Sequence, residues 1–443
     1  MSGGNGGSTG KAVRRRVVLG GVAAMCAALL SPTTASAGSA GSGENTPGWT
    51  GTWGTAPAPA APDGISREGF EDRTLRMVAH TSVGGDSLRL RFSHAYGTTP
   101  LTLGRTTVAL SQPGSPASAV PGSLREVTFD GGAKGTTVAA GTEKHSDPLG
   151  FDVPAGSDLL VSVHLPRATG PVTWHWLAHQ HTYLSGPGDH AAEDGAESFT
   201  STETSWFFLT GVDVRGSEAR GTIVALGDSQ TDGGGSTVDG NGRWTDAFAR
   251  RLADTPATRG TGVLNKGLGG NRVLRDGQET DRPQRGTSAL GRFERDVLGQ
   301  SGVRGAVLYE GINDLQLEPF ATADEVVAGL RTIAARLRAE GVPVVVGTLT
   351  PFKGSPLWTP EAERARVAVN ERLRSPDASA DFDAVADFDA AVRDPADPER
   401  VRAGFDSGDH IHLNDDGYRA VAGAVPLEPF SGAPVTASER RHP

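Results

Sequence analysis

Residues 224–234 read VALGDSQTDGG. A short apolar run, suited to the end of a buried strand, breaks into Gly, Asp, Ser and Thr, all of them turn formers. A serine in that place belongs to a phosphate cradle, to an ordinary surface turn, or to a nucleophile displayed at a strand's end. The phosphate reading fails on residue types. A P-loop requires G-x-x-x-x-G-K-[ST], and no lysine follows the glycines at 233–235. A second glycine-dense stretch, GLGGN at 267–271, lacks the G-x-G-x-x-G spacing because position 272 is Arg. The G-x-S-x-G nucleophile elbow is absent too, since Gly227-Asp228-Ser229-Gln230 is followed by Thr231.

The flanks of that stretch decide the fold class. GTIVAL, GVLN, GAVLYEG and VPVVVGTL are short apolar runs of strand length, and FDAVADF is a weaker one. Between them lie helical patterns. Residues 243–254 place Trp244, Phe248 and Leu252 at helical spacing. ADEVVAGLRTIAARLRAEG puts Val326, Leu330, Ile333 and Leu337 on one face, with Gly341 as its stop. TPEAERARVAVNERL carries Thr359 as N-cap, Pro360 at the first helical position and Glu361 and Glu363 in the first turn. Such alternation predicts an α/β region: a parallel sheet sandwiched by helices. Functional groups of such sheets collect at the carboxyl ends of the strands, and Ser229 lies just past one.

Upstream, residues 49–216 read differently. SLRLRFS alternates apolar and polar, as a strand with one wet face does, and PLTLGRTTVAL and DLLVSVHL are similar. Gly84-Gly85-Asp86, Gly131-Gly132 and Pro154-Ala155-Gly156 punctuate them. With no long amphipathic helix in sight, the expectation is an all-β sandwich of jelly-roll type. Trp53, Trp174 and Trp176 suit either sugar-stacking platforms or packed core, and core is the preferred reading.

The first residues form a targeting segment. Arg14, Arg15 and Arg16 precede an apolar run to Leu30, and Ala35-Ser36-Ala37 supplies a cleavage site before Gly38. The apolar run is too short and glycine-interrupted for a membrane span. Arg15-Arg16-Val17-Val18-Leu19 resembles a twin-arginine export signal, preferred here to a general secretory one. The single cysteine, Cys26, lies inside this segment, so the exported chain must hold together by its core rather than by disulfides. The expected organisation is a signal peptide at 1–37, a flexible lead-in at 38–47, the β-sandwich at 48–216, the α/β domain at 217–430 and a tail at 431–443. The net charge of −10 argues against nucleic acid or an anionic membrane as partner. A secreted (extracellular), soluble monomer is the expectation, with no stable membrane insertion.

A serine alone decides nothing; it needs a base, a group that orients the base, and donors for an oxyanion. FDSGDHIHLNDDGY at 405–418 offers Asp409 and His412 three apart in one polar loop, where the carboxylate can orient the imidazole. The alternatives there are plain loop residues, or a metal held by Asp409, His410 and His412. A metal site wants three or more ligands, and no second cluster completes one. Asp406 is a second choice as partner of His412. NKGLGGN at 265–271 follows a strand and is dense in glycine, so its N–H groups can point into a site. EGINDL at 310–315 places Asn313 after the next strand. A side-chain amide and a backbone N–H aimed at one developing charge make an oxyanion hole. Asp228, inside the turn, reads as an acceptor that shapes it.

Together these residues resemble the SGNH hydrolases, the GDSL esterase/lipase family. Gly227-Asp228-Ser229 matches its first block, with Gln230 where leucine is usual. Gly270, five residues after Asn265, matches the second block, Gly311-Ile312-Asn313-Asp314 the third, and Asp409-His410-Ile411-His412 the last. The blocks stand in family order, and the resemblance covers about residues 222–424. It implies a flavodoxin-like sheet, Ser229 as nucleophile, His412 as base and Asp409 as its partner. It also implies an oxyanion hole made by the Ser229 N–H, the Gly270 N–H and the Asn313 amide. Residues 49–216 resemble the front portion of two-domain secreted members. The function expected is ester hydrolysis through an acyl-enzyme, on short acyl groups such as acetyl carried by carbohydrate, without metal or organic cofactor. The alternatives are a lipase or general carboxylesterase for longer chains and, in another class, a carbohydrate-binding protein whose hydrolase domain is inert.

Overall fold

The computed structural model describes residues 48–432, which form one compact unit. The targeting segment, the lead-in and the tail beyond residue 432 lie outside the described residues.

The first half is built from strands. The principal ones are β1 (Thr50–Gly54), β2 (Arg73–His80), β3 (Gly85–Ser93), β4 (Thr106–Gln112), β5 (Leu149–Val153), β6 (Asp158–Leu165), β7 (Thr182–Pro187) and β8 (Leu209–Arg215). They pair antiparallel in two sheets, one in the order β1-β8-β3-β5 and the other containing β7-β2-β6-β4. Inward residues of both sheets share one core: Leu75 and Met77 from β2, Leu88, Leu90 and Phe92 from β3, Val161 and Val163 from β6, Val212 and Val214 from β8. This is a sandwich, two half-apolar surfaces closed on each other.

One sequence expectation is overturned here. The polar positions of β3 do not face water: Arg89 and Arg91 are buried. Arg89 pairs with Asp213 at 2.9 Å and donates to Ser301 Oγ at 3.0 Å, while Arg91 donates to the Gly299 carbonyl at 3.0 Å. Residues 299–301 belong to the α/β half, which covers that face. The stretch PLTLGRTTVAL also divides. Leu101–Leu103 pairs with Thr136–Val138 in a sheet of its own, and only β4 joins the large sheet.

The second half has five parallel strands: β9 (Thr222–Gly227), β10 (Gly262–Gly267), β11 (Val303–Tyr309), β12 (Val344–Gly347) and β13 (Ala384–Ala386). Their order, β10-β9-β11-β12-β13, reverses direction at β9, the flavodoxin-like order whose switch point opens a crevice at the carboxyl ends. Helices cover both faces. Ala323–Ala339 packs its Val326, Leu330, Ile333 and Leu337 stripe into one core, and Trp244–Asp254 and Asp415–Ala424 build the other. Thr359 caps Pro360–Arg374 by accepting the Ala362 N–H, as the sequence indicates. Thr322 forms a full capping box with Glu325 on the preceding long helix. No helix among the described residues is long and apolar enough to cross a membrane.

Candidate active site

β9 ends at Gly227, and a single helical turn, Ser229–Asp232, begins at once. Asp228 is its N-cap: the carboxylate accepts the Gln230 N–H at 2.9 Å. That is the turn-shaping role read from the sequence. Complete burial pushes the Asp228 carboxyl up to about 7, against the pull of the Gln230 bond. The turn presents Ser229, 9% exposed, at the carboxyl edge of the sheet.

His412 arrives from a loop 183 residues away, and its Nε2 stands 2.8 Å from Ser229 Oγ. Its Nδ1 stands 2.6 Å from Asp409 Oδ2. Asp409 also accepts the N–H groups of Ile411 (3.0 Å) and His412 (2.8 Å) through Oδ1. Burial would raise this carboxyl, but the His412 side-chain bond and charge, with the two backbone bonds, hold it well below the usual carboxylate range. Asp406 is not the partner of His412: it stands 2.5 Å from His410 Nδ1. The two acid–imidazole pairs of this loop are therefore separate.

Gly234 shows why the stretch is so rich in glycine. A Cβ there would stand 2.6 Å from His412 Cδ2, so only a bare Cα admits the imidazole. Tyr418 Oη donates to the Gly234 carbonyl at 2.6 Å and pins the segment. Gln230, the departure from the family's leucine, donates through Nε2 to the Ile411 carbonyl and ties the serine turn to the histidine loop.

The oxyanion candidates lie on the two neighbouring loops. Gly270 has φ +74°, the left-handed region that favours glycine. Among the described residues, neither its N–H nor that of Ser229 donates to a protein acceptor. Asn313 spends one amide hydrogen on the Asn271 carbonyl at 2.9 Å and accepts Gln316 Nε2 through Oδ1 at 3.0 Å. Its second amide hydrogen remains free to donate. Asn265 lies further back, donating to the Thr231 carbonyl and to Thr245 Oγ1 (3.0 Å).

Three groups that sequence reasoning missed hold these loops together. Arg292, with a fully buried side chain, donates to the carbonyls of Gly227 and Lys266 (2.8 Å each) and to Asn271 Oδ1 (2.9 Å). It thus clamps the ends of β9 and β10 to the Asn271 loop, its charge met by Asp296 at 3.1 Å. Asp314 accepts the Val273 and Leu274 N–H groups (2.8 and 3.1 Å), and burial raises its carboxyl to about 6. Asp232 accepts the Gly269 N–H at 3.0 Å through one oxygen, while its other oxygen stands 2.8 Å from Nε2 of His175. His175 belongs to the β-sandwich, and its Nδ1 donates to the Ala56 carbonyl at 2.9 Å. The three residues are 57 and 37 apart in the chain, a relation no local pattern reveals. The sandwich contributes further. Trp174 and Trp176 pack with Ala56, Ala58 and Leu268, and a Cβ on Gly269 would meet Trp176 at 2.9 Å. These tryptophans are packing residues between the two halves, and Trp53 is buried edge-on against Trp206.

A hydroxyl, an imidazole and a carboxylate in series at the rim of a parallel sheet are the arrangement of serine-nucleophile hydrolases. Residues 225–420 match the GDSL-like lipase/acylhydrolase family, and the chain carries a domain of that family, the SGNH hydrolases. No curated protein matches the chain. Solved structures similar to it include a carbohydrate acetylesterase family member from Sinorhizobium meliloti, 19% identical over 47% of this chain and 96% of that one, with a TM-score of 0.36. An aryl esterase from M. smegmatis is 17% identical over 46% and 95%, TM-score 0.36. A GDSL-like lipase from Bacteroides thetaiotaomicron is 16% identical over 47% and 87%, TM-score 0.34.

Proposed function

We propose that this chain is a secreted serine esterase that hydrolyses carboxylic esters through an acyl-enzyme, with short acyl groups on carbohydrate as substrate. The observation that carries the reading is the series Asp409–His412–Ser229, at 2.6 and 2.8 Å. In this reading Ser229 Oγ attacks the ester carbonyl while His412 Nε2 takes its proton. Asp409 holds the Nδ1–H and stabilises the imidazolium. The tetrahedral oxyanion forms against the Ser229 and Gly270 N–H groups and the free amide hydrogen of Asn313. Collapse expels the alcohol with the proton from His412, and water repeats the cycle on the acyl group.

A short acyl group is supported by the sequence between the four blocks, which holds no long apolar stretch of the kind a lid over a long acyl chain would use. Export is supported by the basic, apolar and A-x-A pattern of the first 37 residues. The test is a series of nitrophenyl esters from acetate to decanoate, run beside acetylated xylan, on the wild type and Ser229→Ala. The expected result is a kcat/KM that falls with chain length, release of acetate from xylan, and no turnover in the variant. Peak activity on long chains would replace this reading with a lipase. Turnover by Ser229→Ala equal to the wild type would end it. Asn313→Ala, with one oxyanion donor gone, is expected to lose ~10²–10³ in kcat.

A further inference from the structure

Arg285 lies over the candidate oxyanion glycine. Its Cγ and Nε come within 2.9 Å of the place where a Cβ on Gly270 would stand. A Cβ sits about 2.5 Å from its own amide nitrogen, so Arg285 Nε is within about 5.5 Å of the Gly270 N–H. The side chain is half-buried, and among the described residues its guanidinium makes neither a hydrogen bond nor an ion pair. Burial lowers its pKa first, and the like charges of Arg282 and Arg272 lower it further. Two carboxylates near this loop are turned elsewhere. Asp276 accepts the Ser288 N–H at 2.7 Å, and Asp314 accepts Val273 and Leu274. Asp281 acts on Arg285 only at a distance.

A partly desolvated guanidinium with no acceptor is unfavourable by itself. Arg282 and Arg272 put like charge beside the Arg285 guanidinium, in a loop that also carries Asp276, Glu279 and Asp281. Such a group is matched by an anion, and its planar fork favours a carboxylate taken two bonds at a time. We infer that Arg285 is a specificity residue which binds a carboxylate carried by the ester substrate next to the scissile bond. The inference rests on the esterase reading and names its substrate class: esters with an acidic group, on the acyl side as in a dicarboxylic half-ester, or on the alcohol side as in an acylated uronic acid.

The test compares kcat/KM on three aryl esters. Nitrophenyl acetate is neutral, the mono-nitrophenyl ester of succinate carries its carboxylate on the acyl side, and 4-acetoxybenzoate carries it on the alcohol side. 4-Acetoxybenzamide and nitrophenyl butyrate are the uncharged counterparts of the last two. In the wild type, one of the charged esters is expected to exceed its uncharged counterpart by about 10- to 100-fold, and the one that does so identifies the side. Added salt should shrink that ratio. Arg285→Gln should abolish the preference, and Arg285→Lys, which keeps the charge but not the fork, should retain part of it. A wild-type enzyme without preference for either charged ester would overturn the inference. So would an Arg285→Gln that loses the same factor on charged and neutral esters, because the guanidinium would then serve the oxyanion alone. Hydrolysis of every ester without charge preference sinks this inference only; hydrolysis of none sinks the esterase reading itself.

Discussion

Replacing Asp232 separates the hydrogen-bonding role of this residue from its charge. Its side chain, 3% exposed, links two halves of the molecule by accepting the Gly269 N–H at 3.0 Å and meeting His175 Nε2 at 2.8 Å. Asp232→Ala strands both partners in a buried place. Each unmet group costs ~1–3 kcal/mol, so the loss of stability should be ~2–6 kcal/mol. The Gly269 N–H also anchors the loop that carries Gly270, and a loosened donor can cost up to ~10²–10³ in kcat. Asp232→Asn has the same shape. Its carbonyl oxygen can still accept the Gly269 N–H, while its amide turns to His175. With Nδ1–H given to the Ala56 carbonyl, a neutral His175 ring offers Nε2 as acceptor. The asparagine variant is therefore expected within about 1 kcal/mol of the wild type and with most of its turnover. Urea unfolding and kcat on nitrophenyl acetate, measured on both variants, decide the matter. An asparagine variant as damaged as the alanine one would show that the negative charge is required. An alanine variant with wild-type stability and kcat would refute the anchoring altogether.

Gly234→Ala places a methyl 2.6 Å from the His412 ring and should push the imidazole off Ser229, with a fall in kcat of about 10²-fold and little change in KM; an unchanged kcat would contradict the close approach. His179 is kept neutral by burial, which lowers its pKa to about 4 from an ordinary 6.5. The unfolded chain therefore binds more protons between those values, and stability falls as pH drops through that window, by at most about 3.4 kcal/mol. His179→Asn should flatten the slope of unfolding free energy between pH 6.5 and 4.5, and an unaltered slope would assign the acid sensitivity to other groups.

The residues of the serine, asparagine and histidine loops were legible because each follows a strand or shares a short loop, and their chemistry shows in residue type and spacing. The alternation of strands and helices likewise exposed the parallel sheet. What stayed hidden depends on contacts between distant segments. The polar face of SLRLRFS has the right period for a wet strand, but periodicity does not say what covers the polar side; Gly299 and Ser301 of the other half do. Arg292 carries no local signal of its role, which exists only once the fold brings the ends of β9 and β10 to it. His175 sits in a stretch with a two-residue strand, and nothing local links it to Asp232. Gln230 looked like a deviation, and the structure gives it the Ile411 carbonyl.

The central claim is that His412 makes Ser229 a nucleophile. Its most direct test is the rate at which a fluorophosphonate labels the intact protein, read by mass and mapped to a residue, in the wild type, Ser229→Ala and His412→Gln. The account expects one adduct, on Ser229, absent from the serine variant and formed at least ~10³-fold more slowly in the histidine variant. An adduct on another residue, or a histidine variant labelled as fast as the wild type, would contradict it.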